Sequence, residues 1–240
     1  AFTNTSLTSI IIPKSVTTLD REALNVNTLN SIQVEEGNPV FYSQNNAIYE
    51  KATGKLVRGC LASGIPEGVT EIGNSAFRNA DLEKIILPKS MKKFGIQSFC
   101  ENGKIKDIYI PASIEEIGER AFDSCNLQTI TVDNDNPVFD SRDNCNAIIE
   151  TATNTLLQAS NGTSVIPATV TGLANGAFAR LNIESIDIPQ TVTNYGVGLF
   201  DYSKTSIFHV HYPEPIEIPA NAFNFIINGQ VANLIRENAR

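Results

Sequence analysis

What the chain lacks narrows what it can be. No run of basic residues relieves its net charge of −8 and pI near 4.8, which argues against binding through a phosphate backbone. No apolar stretch approaches the roughly 18 residues needed to span a membrane as a helix. The four cysteines, Cys60, Cys100, Cys125 and Cys145, form no CxxC pair and have no histidine at metal-ligand spacing. They read as small buried hydrophobes rather than as metal ligands, and the unequal distances of Cys100 and Cys125 from the preceding Phe make a disulfide between them a poor fit. No GxSxG, HExxH, P-loop or glycine-rich dinucleotide fingerprint occurs. With two histidines and no recurring acid pair, there is little material for a catalytic pocket. No enzyme, no cofactor and no metal site are expected.

What the chain has in abundance is self-similarity. Ile12-Pro13, Ile65-Pro66, Leu87-Pro88, Ile110-Pro111, Ile166-Pro167, Ile188-Pro189 and Ile218-Pro219 recur at Pro-to-Pro spacings of 53, 22, 23, 56, 22 and 30 residues. The fuller copies continue alike: IPEGVTEIGNSAF (65–77), LPKSMKKFGIQSF (87–99), IPASIEEIGERAF (110–122), IPATVTGLANGAF (166–178) and IPQTVTNYGVGLF (188–200). A period near 22 residues means a solenoid, in which each unit buries its apolar face only against its neighbours.

One unit maps onto one coil. Leu82-x-x-Ile85-x-Leu87, Ile105-x-x-Ile108-x-Ile110, Leu127-x-x-Ile130-x-Val132 and Ile183-x-x-Ile186-x-Ile188 end in the period-two alternation of a strand with one buried face. Proline ends the strand because it has no N–H for the ladder. Val69, Ile114, Val170 and Val192 begin a second apolar segment. A turn follows at Gly73, Gly95, Gly118 and Gly196, where a left-handed backbone is expected, with Asp20 and Ala174 in the same column. A small residue (Ala23, Ala76, Ser98, Ala121, Ala177) precedes a core aromatic column of Phe2, Phe77, Phe99, Phe122, Phe178, Phe200 and Phe223, with Leu24 in the second place.

The two long spacings hold a second motif. NPVFYSQNNAIYEKATGKLV (38–57) matches NPVFDSRDNCNAIIETATNTLL (136–157), each with two apolar strands joined by a turn at Gly54 or Asn154. They read as hairpin insertions at about 38–62 and 136–162, and they create a higher-order repeat near 100 residues, as in Pro66 to Pro167 and Pro88 to Pro189. One elongated domain over 1–240 is expected, with repeats in 1–223 and a cap in 224–240. In the tail, Val231, Leu234 and Ile235 at i, i+3 and i+4 predict a short amphipathic helix. The alignment of Ala1-Phe2 with Ala76-Phe77 reads as a chain that opens inside a repeat, a piece of a longer protein.

The phrase L-x-x-I-x-I-P-x-S-V-x-x-I-G-x-x-A-F resembles the BspA-like leucine-rich repeats of surface and secreted proteins of gut and oral bacteria and some parasitic protists. The resemblance covers residues 1 to about 223, and the insertions are similar to a recurrent two-strand unit of that family. It implies a mostly β, right-handed leucine-rich-repeat solenoid with short helical turns and one parallel strand per repeat. It also implies a secreted or cell-surface protein acting by contact, such as adhesion to host matrix, co-aggregation or immune recognition. The expected role is therefore a monomeric, non-enzymatic, extracellular scaffold that binds a protein or glycan on a host or neighbouring cell. A structural spacer presenting another domain is the alternative.

Outward strand positions are the place for such contact: Lys84 and Ile86, Asp107 and Tyr109, Thr129 and Thr131, Ser185 and Asp187, with Ser9, Ile11, Ser31 and Gln33 on earlier strands. Tyrosine is favoured among binding anchors, so Tyr109, flanked by Lys84 and Asp107, is the candidate contact patch. His209 and His211, at i and i+2 on an expected strand near Glu214, could supply two metal ligands but lack further partners in register. Asp133-Asn134-Asp135-Asn136 has calcium-loop composition, yet Val138 and Asn144 stand where an EF-hand loop requires Gly and Glu, so it reads as a polar connection.

Overall fold

The computed structural model of the chain describes residue 2, residues 5–203, and the strands 207–212 and 233–238. The chain is mostly β, with almost no helix, and forms a β-solenoid of stacked coils. Two compact units are distinguished, Ala1–Lys106 with Ser113–Cys125, and Asp107–Ala112 with Asn126–Arg240.

The strands in chain order begin with β1 (Ser9–Ile12), β2 (Ser31–Val34), β3 (Phe41–Gln44), β4 (Ala47–Glu50), β5 (Leu56–Arg58) and β6 (Glu71–Ile72). There follow β7 (Lys93–Phe94), β8 (Asp107–Ile110), β9 (Glu116–Ile117), β10 (Thr129–Val132), β11 (Phe139–Asp140) and β12 (Ala147–Glu150). The last are β13 (Thr155–Ala159), β14 (Gly172–Leu173), β15 (Ser185–Ile188), β16 (Asn194–Tyr195), β17 (Ile207–Tyr212) and β18 (Asn233–Asn238).

In the first unit β1 and β2 pair in parallel, with Ile10 opposite Ile32. A second sheet runs β3-β4-β5-β6-β7-β9. Its first two pairings, β3 with β4 and β4 with β5, are antiparallel, and from β5 onward one short strand per coil stacks in parallel. The second unit repeats the plan. There β11-β12-β13 are antiparallel, β14 and β16 add in parallel, β8 pairs with β10, and β15-β17-β18 form a parallel sheet.

The aromatic column is the core. In the first unit Phe77, Phe99 and Phe122 stack face to face at centroid spacings of 5.6 Å, and Phe94 packs edge-on against Phe99 and Phe122. Phe178 and Phe200 stack at 5.0 Å in the second. All six are buried, whereas Phe2 is half-exposed; Phe223 lies outside the described residues. Beside each ring the backbone bonds coil to coil: Phe77 N–H donates to the Ser98 carbonyl (2.7 Å), Phe99 N–H to Ala121 (2.8 Å) and Phe178 N–H to Leu199 (2.8 Å).

The turn differs from expectation. Gly73, Gly95, Gly118 and Gly196 do not adopt positive φ; the left-handed residues stand two before and two after each Phe. These are Ser75 and Asn79, Gln97 and Glu101, Arg120 and Ser124, Gly176 and Arg180, Gly198 and Tyr202. The left-handed bend aims amides at the next coil, as when Gln97 N–H meets Glu119 O (3.0 Å) and Glu101 N–H meets Asp123 O (2.8 Å). The glycine column serves close approach instead. A Cβ on Gly118 would stand 2.5 Å from the Gly95 carbonyl carbon.

Buried asparagines close each level. Asn102 donates through Nδ2 to the carbonyls of Phe77 and Phe99 and accepts the Leu82 amide, at 2.7–2.9 Å. Asn38 and Asn136, the first residues of the two NPVF phrases, each accept two amides (Val40 and Phe41, Val138 and Phe139) and donate back to Pro13 or Pro111. All four cysteines are buried, and none is in a disulfide. Burial pushes the Cys125 thiol up to about 12.

Two further expectations fail. Residues 84–87 form no strand, although their repeat has the full pattern. The turn before them is not the reason. There the Ser63 hydroxyl accepts the Cys60 amide and donates to the Asn46 carbonyl, but Thr163 holds the Ser160 amide and the Asn146 carbonyl in the same way. Residues 185–188 still form β15 by pairing with β17, whereas residues 84–87 have no such strand in their own unit. In the tail, Leu234 and Ile235 lie on β18, not on a helix, and Val231 lies outside the described residues. The edge of β17 offers β18 six residues of parallel pairing, while a short isolated helix is marginal in water.

Two substitutions separate close approach from backbone conformation. Gly118→Ala should destabilise by about 1–3 kcal/mol through overpacking. Gln97→Gly should stabilise by about 0.5–1 kcal/mol, because glycine relieves the left-handed penalty at some entropic cost. Equilibrium denaturation of both variants checks the signs; two losses of similar size would refute the assignment.

Candidate functional site

The clearest constellation lies in the second unit. β8 and β10 pair in register, Thr129 opposite Asp107 and Thr131 opposite Tyr109. On both strands the burial alternates, with Ile108, Ile110, Ile130 and Val132 facing the core and Asp107, Tyr109, Thr129 and Thr131 outward. The coil interior thus fixes which four side chains form the exposed face. Tyr109 is its one aromatic, 52% exposed.

Tyr109 is not loose on that face. Its hydroxyl donates to Asp133 Oδ2. Asp133 is placed by its own amide, which donates to the Ile110 carbonyl (2.9 Å), and its other carboxylate oxygen accepts the Asp135 amide (2.9 Å). The acidic run is therefore an Asx turn that orients a carboxylate toward the phenol. Among the described residues no group of three or more His, Cys, Asp or Glu side chains could hold a metal ion. The shared bond raises the phenol pKa and, with the Asp135 amide, lowers that of the Asp133 carboxyl.

Beside β10 runs a groove of about 420 Å3, lined by Thr129, Thr131, Asp133, Asp140, Arg142 and Asn146 among others. Arg142 is clamped by Asp140 through two bonds (2.6 and 2.8 Å), and its other arm reaches Asn154 Oδ1 (2.8 Å) and Thr169 Oγ1 (3.2 Å). The sequence reading did not single out Arg142. Its only signal was the pair of extra residues near Asn144-Cys145, which build a turn with positive φ at Asp143, Asn144 and Asn146.

Ser185 and Asp187 are exposed on β15, with Asp187 opposite His209 in the register. The side chains of His209 and His211, on β17, lie outside the described residues, as does Glu214. Lys84 and Ile86 belong to the first unit, where they stand at the mouth of an apolar cleft.

The chain matches the model of the BspA type leucine-rich repeat region in six copies, over residues 1–54, 61–148 and 153–237. It belongs to that family. Membership suggests a binding or scaffold role. No curated protein matches it. Among solved structures it is similar to a leucine-rich repeat protein from Eubacterium ventriosum, with TM-score 0.57 and 21% identity over 90% of this chain and 62% of that one. A leucine-rich cell surface protein from Faecalibacterium prausnitzii gives TM-score 0.53 and 19% identity over 98% and 79% of the two chains. The pneumococcal vaccine antigen PcpA gives 0.50 and 16% over 85% and 62%. The chain thus spans 62% of the length of the Eubacterium protein, and these likenesses carry the fold alone. Among the described residues no helix is long and apolar enough to cross a membrane.

The Tyr109–Asp133 bond has a pH window. Asp133 is depressed, so the bond's contribution is complete above the ordinary carboxyl range and is lost as pH falls through the lowered value. On the alkaline side Tyr109 is raised, so the bond persists until the phenol ionises above its ordinary value. Tyr109→Phe should move the Asp133 titration up toward the ordinary carboxyl range in carboxyl-resolved NMR. An unmoved Asp133 would remove the bond from the account.

Proposed function

We propose that this chain is a non-enzymatic extracellular binding scaffold that recognises a protein or glycan on a host or neighbouring cell. The carrying observation is the exposed β8–β10 face, where a half-exposed Tyr109 is held by Asp133 among Asp107, Thr129 and Thr131. An aromatic fixed before binding loses little freedom on contact, and tyrosine combines apolar area with a polar tip. The two threonines and Asp107 suit the hydrogen bonding of a polar rim, and the groove beside Thr129 and Thr131 extends it toward Arg142.

Ser185 and Asp187, and in the first unit Lys84 and Ile86, are further candidate contacts of the same kind. The repeats are taken as one monomeric solenoid domain at or outside the cell surface, a compartment that family membership supports. No nucleic acid is expected as partner, given the net charge of −8.

Binding to immobilised matrix proteins and to a glycan array, beside the double variant Tyr109→Ala/Asp107→Lys, tests this reading. Saturable binding by the parent, weakened at least tenfold in the variant (about 1.4 kcal/mol), is the expected result. Binding retained by the variant would move the site off this face. A parent that binds nothing on either panel would favour the spacer.

A further inference from the structure

The hairpin that walls the groove beside β10 differs between the two copies of the longer motif. In the first copy Asn45 and Asn46, both at positive φ, turn β3 directly into β4. There the Ser43 hydroxyl accepts the Val34 amide (2.9 Å) and ties the hairpin to the end of β2. The second copy carries two extra residues, with Arg142, Asp143, Asn144 and Cys145 standing where the first has Gln44 and Asn45. Its β11 stops at Asp140, and the Ser141 hydroxyl turns away to accept the Ala147 amide (3.3 Å). The bond equivalent to that of Ser43 is not made among the described residues, and Thr129, Thr131 and Asp133 line the open side of β10.

The side chains change with the opening. Tyr109 stands where the first copy has Ile11, and Asp140 where it has Tyr42. The charges in the groove are already engaged. Arg142 is held by both oxygens of Asp140, and Asp133 accepts the Tyr109 hydroxyl on one oxygen and the Asp135 amide on the other. Left without a hydrogen-bond partner among the described residues are the side chains of Thr129, Thr131, Asn134 and Asn144, all exposed and all uncharged. Hydroxyls and carboxamides are thus gathered in one groove beside a pinned aromatic, and stacking of the coils requires none of them.

We propose that this groove binds a neutral glycan, with one sugar ring against Tyr109 and neighbouring hydroxyls bonded to Thr131, Asn134 and Asn144. Sugar hydroxyls donate and accept, and threonine hydroxyls and asparagine amides match them in both senses. The C–H face of a pyranose carries a slight positive charge, complementary to the negative face of an aromatic ring. The volume of about 420 Å3 lies within the roughly 300–1,000 Å3 of small-ligand sites. An acidic sugar is disfavoured, because Arg142 is neutralised by Asp140 while Asp107 and Asp133 would repel a carboxylate or sulfate. A protein contact calls for an apolar centre, and among the described residues of this face Tyr109 is the one large apolar side chain exposed. The inference rests on the reading of this face as a binding surface and names the class of its ligand.

The probes are cellotriose, maltotriose, mannotriose and chitotriose, beside the acidic trigalacturonate and sialyl-lactose. Each is titrated into the full chain and followed by NMR on the Tyr109 ring signals, assigned by their loss in Tyr109→Phe. Saturable shifts with a neutral trisaccharide are expected, and the acidic probes should bind roughly tenfold more weakly or worse. Tyr109→Ala should weaken the neutral sugar about tenfold or more. Thr131→Val and Asn144→Ala should each weaken it about two- to tenfold, the loss of one hydrogen bond. All three positions are exposed, and matched thermal melts establish that the variants fold. Equal binding of the acidic probes would overturn the neutral class. Unchanged affinity in both Thr131→Val and Asn144→Ala would take the sugar out of the groove and overturn the proposal too. So would the absence of a saturable shift with every neutral trisaccharide. If matrix proteins then still bind, and lose binding in Tyr109→Ala/Asp107→Lys, the face belongs to a protein ligand and the broader reading stands without the glycan.

Discussion

Everything in this fold depends on backbone meeting backbone at the spacing of a parallel ladder, about 4.8 Å between strands. At that distance no side chain fits between successive coils at the turn, which is why Gly95 and Gly118 stand over one another with room for nothing larger. The same spacing brings Phe77, Phe99 and Phe122 into a face-to-face stack, tilted or offset only enough to reach 5.6 Å between centroids. Left-handed residues on both sides of each ring then turn additional amides toward the neighbouring coil. At Ser75, Asn79, Gln97, Glu101 and Arg180 the conformational cost of about 1–2 kcal/mol is offset by an amide bond to the neighbouring coil.

The interior was legible because this constraint repeats. Pro, Gly, a small residue and Phe recur at fixed offsets, and the positions they mark are turns and core. The reason for the glycines was not legible. A glycine required for φ and a glycine required for approach look identical in one sequence, and only the register of neighbouring coils separates them. Phe94 was missed for a related reason. It occupies a return-strand position held by Ile72 and Ile117 in adjacent coils, so nothing in the repeat announced that its ring would close the stack edge-on.

The failures share a cause as well. A strand requires a partner, and the pattern Leu82-x-x-Ile85-x-Leu87 encodes only its own half of the pairing. In the second unit the other half for the equivalent segment, β15, comes from β17, and the first unit supplies residues 84–87 with no such strand. In the tail the reverse happened: at Leu234 and Ile235 the helical spacing was overridden by the edge of β17, which offered six residues of backbone pairing. The outward residues were foreseen as exposed, because strand alternation sets side-chain direction. Their partners were not: the Tyr109 bond to Asp133 joins residues 24 apart in the chain, and the clamp on Arg142 comes from Asp140 within a local turn that no repeat position announces.

A repeat scaffold separates what must stay the same from what can differ, and the two copies of the longer motif display that division within one chain. Asn38 and Asn136 hold identical bonds beneath the two NPVF phrases, and Ile65 and Ile166 keep the same identity. Outside, Leu61 faces Gly162 in the alignment, Ile86 faces Asp187, and Tyr109 corresponds to the exposed Ile11 across the Pro13 to Pro111 repeat. Stacking explains the first set and is indifferent to the second. An exposed isoleucine or leucine adds nothing to the ladder, and grouped apolar surface on a soluble domain marks contact more often than chance. The sequence differences between otherwise equivalent coils are therefore where recognition is sought, and they fall in two places of different chemistry. One is a fixed aromatic on a polar sheet, and the other is an apolar cleft lined by Leu61 and Ile86 among others.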